Sequence, residues 1–249
     1  MAQIRMRPAE DIKDNNQRFS YSEAMPIKKK LAEDIADYLT EKIVHMQIRP
    51  GERITEAKIK QVFDVSNYPI REALMILEKR HLVELFPRCG AKATEMSPEF
   101  ISNLYYVMTE LVGMLIRLVC EGRTEEEMNH LLEILSEALD CARNRDVLRY
   151  FEAIRAITLF SLEVCRNPLL AGIIMEWIPS FRRTNYLFLL HSSINLEDHV
   201  KSLQELFKHT VDGNAELAER TAKSFFTKQQ ERVLEIVRKY FSEEEKAAV

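Results

Sequence analysis

Glycine, proline and cysteine are scarce in this sequence, with six, eight and four of them among 249 residues. So few glycines and prolines favour long helices over tight turns. The four cysteines are far apart and none belongs to a Cys-x-x-Cys pair, so we expect buried free thiols rather than a structural zinc site. A chain of this length could form one large domain or two of ordinary size.

Long apolar runs and a secretory signal are lacking as well. No segment approaches the roughly 20 apolar residues that a membrane helix needs. Residues 1–25 lack the apolar region of a signal peptide. Together with 46% hydrophobic and 30% charged residues, these absences predict a cytoplasmic globular protein that does not interact with a membrane.

Motifs that would indicate an enzyme are also absent from the sequence. There is no glycine-rich phosphate loop, no nucleophile elbow, no His-Glu-x-x-His motif and no paired Cys/His cluster. The six histidines are scattered, and none lies in a catalytic motif. We therefore expect neither an enzyme nor a bound cofactor.

The net charge of -4 conceals an asymmetry between the two parts of the chain. Residues 1–95 contain 17 Lys and Arg residues against 15 Asp and Glu residues, whereas the remainder contains 18 against 24. A slightly basic front and an acidic back suggest two functions in one chain. The bias is too small to indicate nucleic-acid binding by itself.

Residues 65–79 have the pattern of a recognition helix. Apolar residues recur at helical spacing through this stretch and define one buried stripe. Ser66 is a good N-cap, because its hydroxyl can accept a hydrogen bond from a free amide of the first turn. The opposite face begins with Asn67, Tyr68 and Arg71, which have polar, planar side chains. An ordinary amphipathic helix fits these residues equally well, so the neighbouring segments decide between the two.

Those neighbouring segments predict a winged helix-turn-helix. Residues 28–47 place their apolar side chains on one face, and a short second helix follows with Thr55 as its plausible N-cap. After the third helix, residues 82–86 and 91–94 are prone to form strands on either side of a turn at 87–90. Three helices followed by a hairpin, or wing, give the winged helix-turn-helix order.

This region resembles the GntR family of bacterial transcription regulators. The resemblance covers about residues 28–95 without a gap, and it rests on segments 48–56, 65–66, 69–74, 77–78, 82–83 and 90–91. It implies a winged domain that binds double-stranded DNA. The contacts with DNA would come from Thr55, Lys58, Ser66, Asn67, Tyr68, Arg71, Arg88, Gly90 and Lys92.

Two departures from the family pattern bear on which operator would be recognised. Asn67 stands where the family usually has arginine, and asparagine pairs better with adenine than with guanine. In the turn of the wing, Arg88-Cys89-Gly90 stands where Asn-Arg-Gly is usual. We therefore expect DNA binding, with an operator sequence that differs from the family norm.

From Ser97 onward almost every segment has helical spacing, and no strand pattern appears. The predicted helices cover residues 100–121, 125–143, 146–165, 169–177, 181–191, 196–211 and 215–241. The expected fold is therefore mainly α, with a winged helix-turn-helix joined to a C-terminal antiparallel helical bundle. The expected divisions are an N-terminal arm (1–27), a DNA-binding domain (28–95), an effector-binding and dimerisation domain (96–242) and an acidic tail (243–249).

The bundle resembles the FCD-type ligand-binding domain of the FadR branch of the GntR family. The resemblance covers about residues 97–240 and rests on spacing more than on identity, with anchors at 146–170 and 213–218. Many such domains hold a divalent metal through one aspartate and three histidines. The corresponding positions here are Ile154, Thr158, Leu203 and Phe225. Because these side chains cannot form a metal site, we expect no metal.

His199, one turn before Leu203, is the remaining histidine on that face, and a lone histidine is more often structural than a ligand. The arginine that the family frequently has on the first bundle helix falls at Met108. The resemblance thus implies a pocket for an apolar or acyl-like small-molecule effector. Its lining would be Tyr105, Met108, Ile154, Thr158, Leu203 and Phe225. The alternative is that these side chains simply fill the core.

These resemblances together imply a ligand-responsive regulator that binds a palindromic operator as a homodimer. The alternative is a small-molecule-binding or protein-interaction module whose winged domain no longer binds DNA specifically. Arg182 and Arg183 could meet an anionic group at the mouth of the pocket, although we expect them to be an exposed pair.

Overall fold

The computed structural model describes residues 27–86, 90–191 and 196–247, and it gives the backbone alone at 27–29, 188–191 and 240–247. These residues form two compact units that divide between Glu95 and Met96. Of the features expected from the sequence, the N-terminal arm before Ile27 and Arg88 in the wing lie outside the described residues.

In the N-terminal unit, the residues that the structure describes form three helices and a small antiparallel sheet. The helices are α1 (Ile27–Val44), α2 (Glu56–Val62) and α3 (Asn67–Lys79), and the strands are β1 (Arg53–Ile54), β2 (Val83–Phe86) and β3 (Gly90–Ala93). The strand order is β1-β3-β2, so the inner strand of the hairpin pairs on both sides. The predicted helices and hairpin are confirmed, whereas β1 was not anticipated.

An apolar cluster joins the three helices to the sheet. The stripe predicted on α3 is buried, and it packs against α1. The buried members of the cluster are Ile35, Ala36, Leu39, Ile43, Ile54, Ile59, Phe63, Ile70, Ala73, Leu74, Leu77, Leu82, Val83, Ala91 and Ala93. Burial of this stripe fixes which face of α3 remains in contact with solvent.

The described residues of the C-terminal unit form six helices. They are α4 (Pro98–Gly122), α5 (Glu125–Arg143), α6 (Val147–Val164), α7 (Pro168–His191), α8 (Leu196–Val211) and α9 (Ala215–Ala247). Ser97 caps α4 as predicted, and Thr124 begins α5 with a capping box that includes Glu127. In the part of this unit that the structure describes, no strand occurs, which agrees with the helical spacing of the sequence.

Two boundaries in this unit differ from the prediction. Residues 168–191 form one helix with Pro179 inside it, so the expectation of two separate helices around this proline was wrong. A proline removes one backbone hydrogen bond, but a helix packed against neighbours can continue past it. At the C-terminus, α9 continues through residues 243–247, which the sequence pattern assigned to an acidic tail.

Helix α4 lies at the centre of the bundle core and packs most extensively against α9. Its buried side chains include Leu104, Met108 and Leu115, which belong to the main apolar cluster of the unit. Among the described residues, α4 is the one helix whose length and apolar composition would permit a membrane crossing, and half of the qualifying window is buried. A core helix of a bundle has the same properties.

Candidate nucleic-acid interface and effector pocket

The solvent face of α3 carries the side chains that the sequence predicts to meet DNA. Asn67, Tyr68 and Arg71 are all exposed, with Tyr68 exposed to 61%. Their outward direction follows from the burial of Ile70 and Leu74 on the opposite face of the same helix. The geometry therefore leaves the first two turns of α3 open to a ligand.

Ser66 lies at the N-cap position of α3, but its side chain makes no capping hydrogen bond, so that part of the prediction was wrong. An N-cap side chain normally accepts a hydrogen bond from the second or third amide of the helix. The third residue of α3 is Pro69, which has no amide hydrogen. The Ser66 hydroxyl and the first free amides of the helix thus remain available for an anion such as a phosphate.

Each described lysine or arginine of the predicted interface has a carboxylate partner from its own unit. Arg71 Nε donates to Glu56 Oε1 at 2.8 Å, and Lys58 Nζ to Glu52 Oε1 at 3.2 Å. Lys92 Nζ donates to Glu95 Oε1 at 2.7 Å. A hydrogen bond to the Glu72 carboxylate raises the pKa of the Tyr68 hydroxyl.

These acidic residues were missed from the sequence, for two different reasons. Glu72 lies one turn after Tyr68 and Glu95 three residues after Lys92, so helical and local spacing could have suggested both pairs. Glu56 and Arg71 are 15 residues apart and meet only because α2 packs against α3. No pattern within either helix reveals that pair.

Glu52 also supports the turn that leads into β1. It accepts a hydrogen bond from the Arg49 amide at 3.1 Å, and this bond, followed by the Lys58 contact, lowers the pKa of the Glu52 carboxyl group. Thr55 caps α2 by accepting from the Lys58 amide at 3.3 Å, as the sequence predicted. These two hydrogen bonds stabilise the turn before β1 and the start of α2.

The wing contributes Gly90 and Lys92 from β3. Gly90 has a φ of +82°, and a Cβ atom placed on it would lie 2.6 Å from the backbone oxygen of Ile54. Lys92 is opposite Arg53 of β1 in the ladder, so both cations lie on the same face of the sheet. Arg53 is exposed and adds to this surface a cation that was not predicted from the sequence.

Of the residues predicted to line an effector pocket, Tyr105, Met108 and Leu203 are buried. The other three are half-buried. Met108 and Leu203 belong to one apolar cluster, and Ile154 packs against it. The Tyr105 hydroxyl lies 3.2 Å from Thr184 Oγ1, and Thr158 Oγ1 donates to the Ile154 carbonyl at 3.0 Å. The ring centroids of Phe225 and His199 are 4.4 Å apart. These contacts describe packed side chains, and the pocket stays a prediction.

His199 forms a buried pair with Tyr150, in which the tyrosine hydroxyl is hydrogen-bonded to His199 Nδ1. The rings of Phe151 and Phe225 pack edge to face around the imidazole. Burial, with a smaller effect of the Arg232 charge, lowers the pKa of His199 to about 4. The imidazole is therefore neutral at pH 7 and bridges α6 to α8, a structural role for this histidine.

Within the described ranges, no group of three or more His, Cys, Asp or Glu side chains is arranged to hold a metal ion. We predict that protein purified without chelators contains no stoichiometric divalent metal, because Ile154, Leu203 and Phe225 cannot act as ligands. Elemental analysis of the full chain tests this prediction. One zinc, nickel or manganese ion per chain would show that the ligand positions had been wrongly matched.

Arg183 does not belong to an exposed pair, so that prediction was wrong. Its side chain is only 1% exposed, and burial lowers the pKa of its guanidinium to about 10. Arg182 is half-buried and lies 4.0 Å from Glu152 of α6. On an α-helix, successive residues point about 100° apart, so two adjacent arginines meet different surroundings.

Comparison with known proteins gives a family model for each unit. The model for bacterial regulatory proteins of the gntR family matches residues 31–92, and the FCD domain model matches residues 103–228. The second match covers more than half of the chain. Both matches fall within the units that the structure separates at Glu95 and Met96.

Individual relatives match either a shorter part of the chain or a longer part at lower sequence identity. The uncharacterized HTH-type transcriptional regulator YdhC of Bacillus subtilis is 32% identical over 106 residues, which are 43% of this chain and 47% of that protein. The chain thus spans about half the length of this relative. The HTH-type transcriptional repressor NanR of Escherichia coli is 23% identical over 212 residues, 74% of this chain and 79% of that protein.

Solved structures share the fold at low sequence identity. The E. coli McbR/YncC structure has a TM-score of 0.70 and 18% identity, and the match covers 84% of this chain and 98% of that one. The crystal structure of a GntR transcriptional regulator from Rhodococcus sp. RHA1 has a TM-score of 0.63 and 19% identity, and the match covers 82% of this chain and 98% of that one. At these identities the similarity establishes the architecture alone.

Proposed function

The chain belongs to the GntR family of bacterial regulatory proteins, with an FCD domain after its winged domain, and we propose that it is a cytoplasmic, ligand-responsive transcription regulator. The observation that carries this proposal is the outward face of α3, where Asn67, Tyr68 and Arg71 lie open to solvent on a helix whose back is buried. A helix presented in this way fits the major groove of double-stranded DNA.

The remaining interface residues would hold the DNA backbone. The Ser66 hydroxyl and the first amides of α3 offer hydrogen bonds to one phosphate. Thr55 and Lys58, at the start of α2, would contact the flanking backbone, and Lys92 in the wing would reach the minor groove or a phosphate. Contacts of this kind set the register, so that α3 can read base edges.

A homodimer on a palindromic operator would supply the affinity that one small domain lacks, because each winged domain makes few contacts. An apolar stripe on α4 supports association of two copies through the bundle unit. Tyr106, Val107 and Met114 in this stripe are 76%, 50% and 49% exposed. Large apolar side chains grouped on one helix face favour a protein interface.

The effector would bind within the bundle unit and is proposed to be apolar or acyl-like. Two observations support an apolar effector. Met108 stands where the family frequently has an arginine, and Leu203 belongs to an apolar cluster. Such a ligand shifts operator affinity only by its differential affinity for the two arrangements of the dimer.

Replacement of Arg71 by alanine tests the proposed interface directly. We expect the Arg71→Ala variant to bind its operator more weakly by about 1–3 kcal/mol, or roughly 5- to 150-fold, because an exposed cation and base-reading group is lost from α3. Titration of a labelled duplex measures the change. Arg155→Ala, which removes an exposed arginine from the bundle unit, is the matched control. Equal affinities of the Arg71 variant and the unmodified chain would contradict the placement of α3.

The carboxylates that pair with Lys58, Arg71 and Lys92 favour one alternative, a protein-interaction or small-molecule-binding module without specific DNA affinity. Salt dependence separates the two functions. Phosphate contacts release counterions, so DNA binding loses affinity steeply as salt rises. Failure to retain any duplex even at low salt would favour the module.

A further inference from the structure

We propose that Glu56 is a specificity-determining residue of the DNA interface, because its carboxylate holds the Arg71 guanidinium in the orientation that reads a guanine. This inference rests on the DNA-binding function proposed above. It assigns to an acidic residue of α2, outside the recognition helix, a positioning role in base selection.

The contact uses one particular nitrogen of the guanidinium. Glu56 is the first residue of α2, and its Oε1 atom accepts from Nε of Arg71 at 2.8 Å. A guanidinium has five N–H donors in a fixed plane, and those of its two terminal nitrogens form the outer edge. With Nε bonded to the carboxylate, the edge formed by Nη1 and Nη2 remains for two parallel hydrogen bonds to O6 and N7 of a guanine.

Exposure identifies which partner anchors the other. The Glu56 side chain is 28% exposed, whereas that of Arg71 is 68% exposed. Glu56 also lies at the N-terminus of its helix, where the dipole favours a negative charge. The carboxylate is therefore the fixed member of the pair, and the arginine is the member that extends into solvent.

The energetics of the pair favour selectivity over stability. An exposed ion pair contributes little to folding, because solvent screens it and both side chains lose rotamer freedom. A carboxylate near phosphates also lowers affinity for any DNA. However, an arginine that is already oriented loses less conformational freedom when it binds. Glu56 thus lowers the affinity for DNA of any sequence and increases the selectivity for the base that Arg71 contacts.

The other two ion pairs of the interface differ from this one. Lys58 and Lys92 are paired with Glu52 and Glu95, and a lysine ammonium is a point charge with no planar edge to orient. Removal of either acid would change general affinity for DNA without changing base preference. Glu95 is the better control, because Glu52 also accepts a bond from the Arg49 amide.

Selection from a library of duplexes with randomised half-sites tests the inference with the full-length chain. The unmodified protein is expected to prefer guanine at one position of each half-site, and Arg71→Ala should abolish that preference. Glu56→Ala should reduce the preference at the same position by about five- to tenfold, part of what a bidentate pair supplies. Its affinity for mixed-sequence duplex should be equal or higher.

Matched variants separate orientation from charge. Glu56→Gln should retain the guanine preference, because the amide oxygen can still accept from Nε. Glu56→Met has a similar size and no acceptor, so it should behave like Glu56→Ala and guards against a folding defect of the smaller side chain. Glu95→Ala should leave the preference intact, since its partner is Lys92.

The inference would be overturned if Glu56→Ala and Glu56→Met both kept the full guanine preference that Arg71→Ala abolishes. The proposed function would then still stand. An equal loss of preference in Glu95→Ala would also overturn the inference. Failure of the unmodified protein to retain any duplex at low salt would instead overturn the proposed function itself. In the Arg71→Ala background, Glu56→Ala should have no further effect on preference.

Discussion

Acidification from pH 7 to pH 4 is expected to destabilise the folded protein by about 3 kcal/mol through His199 alone. The pKa of this imidazole is lowered from 6.5 to about 4 by burial and by the Arg232 charge. Between these two values the unfolded chain binds a proton that the folded chain excludes. The stabilising contribution is therefore complete above pH 6.5 and is lost as the pH falls through about 4.

Urea denaturation of the full chain at several pH values between 7 and 4 measures this effect. The His199→Gln variant is the control, because glutamine does not titrate but can still hydrogen-bond to the Tyr150 hydroxyl. As the pH falls, the unfolding free energy of the unmodified protein should decrease more than that of the His199→Gln variant. Since surface carboxylates titrate in both proteins, their contributions cancel. Parallel curves would show that the imidazole is not held neutral by burial.

Substitution of Gly90 by alanine is expected to disrupt the wing. A non-glycine residue at a φ of +82° incurs backbone strain of about 1–3 kcal/mol. The added Cβ atom would also lie 2.6 Å from the Ile54 carbonyl oxygen, which is backbone and cannot rotate away. Relief of this contact requires separation of β1 from β3. We therefore expect Gly90→Ala to destabilise the winged unit and to weaken DNA binding together with it.

Gly51→Ala provides the comparison for this substitution. Gly51 also has a positive φ, of +75°, but the nearest atoms to an added Cβ are 3.5 Å away on the side chains of Glu95 and Lys92. That variant bears the backbone strain without the backbone clash. Chemical denaturation, with amide exchange at Ile54 and Ala91 as a local measure, should therefore show a larger loss for Gly90→Ala. Equal losses in the two variants would mean that β1 does not restrict the wing.

Features that depend on local periodicity were predictable from the sequence. The α3 stripe of Ile70, Ala73, Leu74 and Leu77 follows from helical spacing, and it is buried as expected. The strand β1 was not predictable in this way, because two residues carry no pattern and become a strand only by pairing with β3. The Arg71–Glu56 contact had the same origin in tertiary structure.

Predictions that rest on the usual behaviour of one residue type were less reliable, because neighbouring residues and packing also matter. Ser66 is a favourable N-cap, and Pro69 is acceptable in the first turn, yet Pro69 removes one of the two amides that the Ser66 side chain could cap. Pro179 is a helix breaker in a sequence, but α7 continues through it. The exposure of Arg183 could not be inferred from its charge, because burial depends on which elements cover it.

The pairing of β1 with β3 connects the hairpin to α3 through a short stretch of chain. Lys92 of the hairpin pairs with Arg53 of β1. Three residues further along the chain, after the α2 cap Thr55, Glu56 accepts a hydrogen bond from Arg71. In the DNA complex proposed above, a hairpin displaced by a narrow or wide groove would shift β1, and with it Glu56 and the Arg71 side chain that Glu56 holds. The width of the groove that the hairpin enters would then affect which base Arg71 prefers in the neighbouring groove.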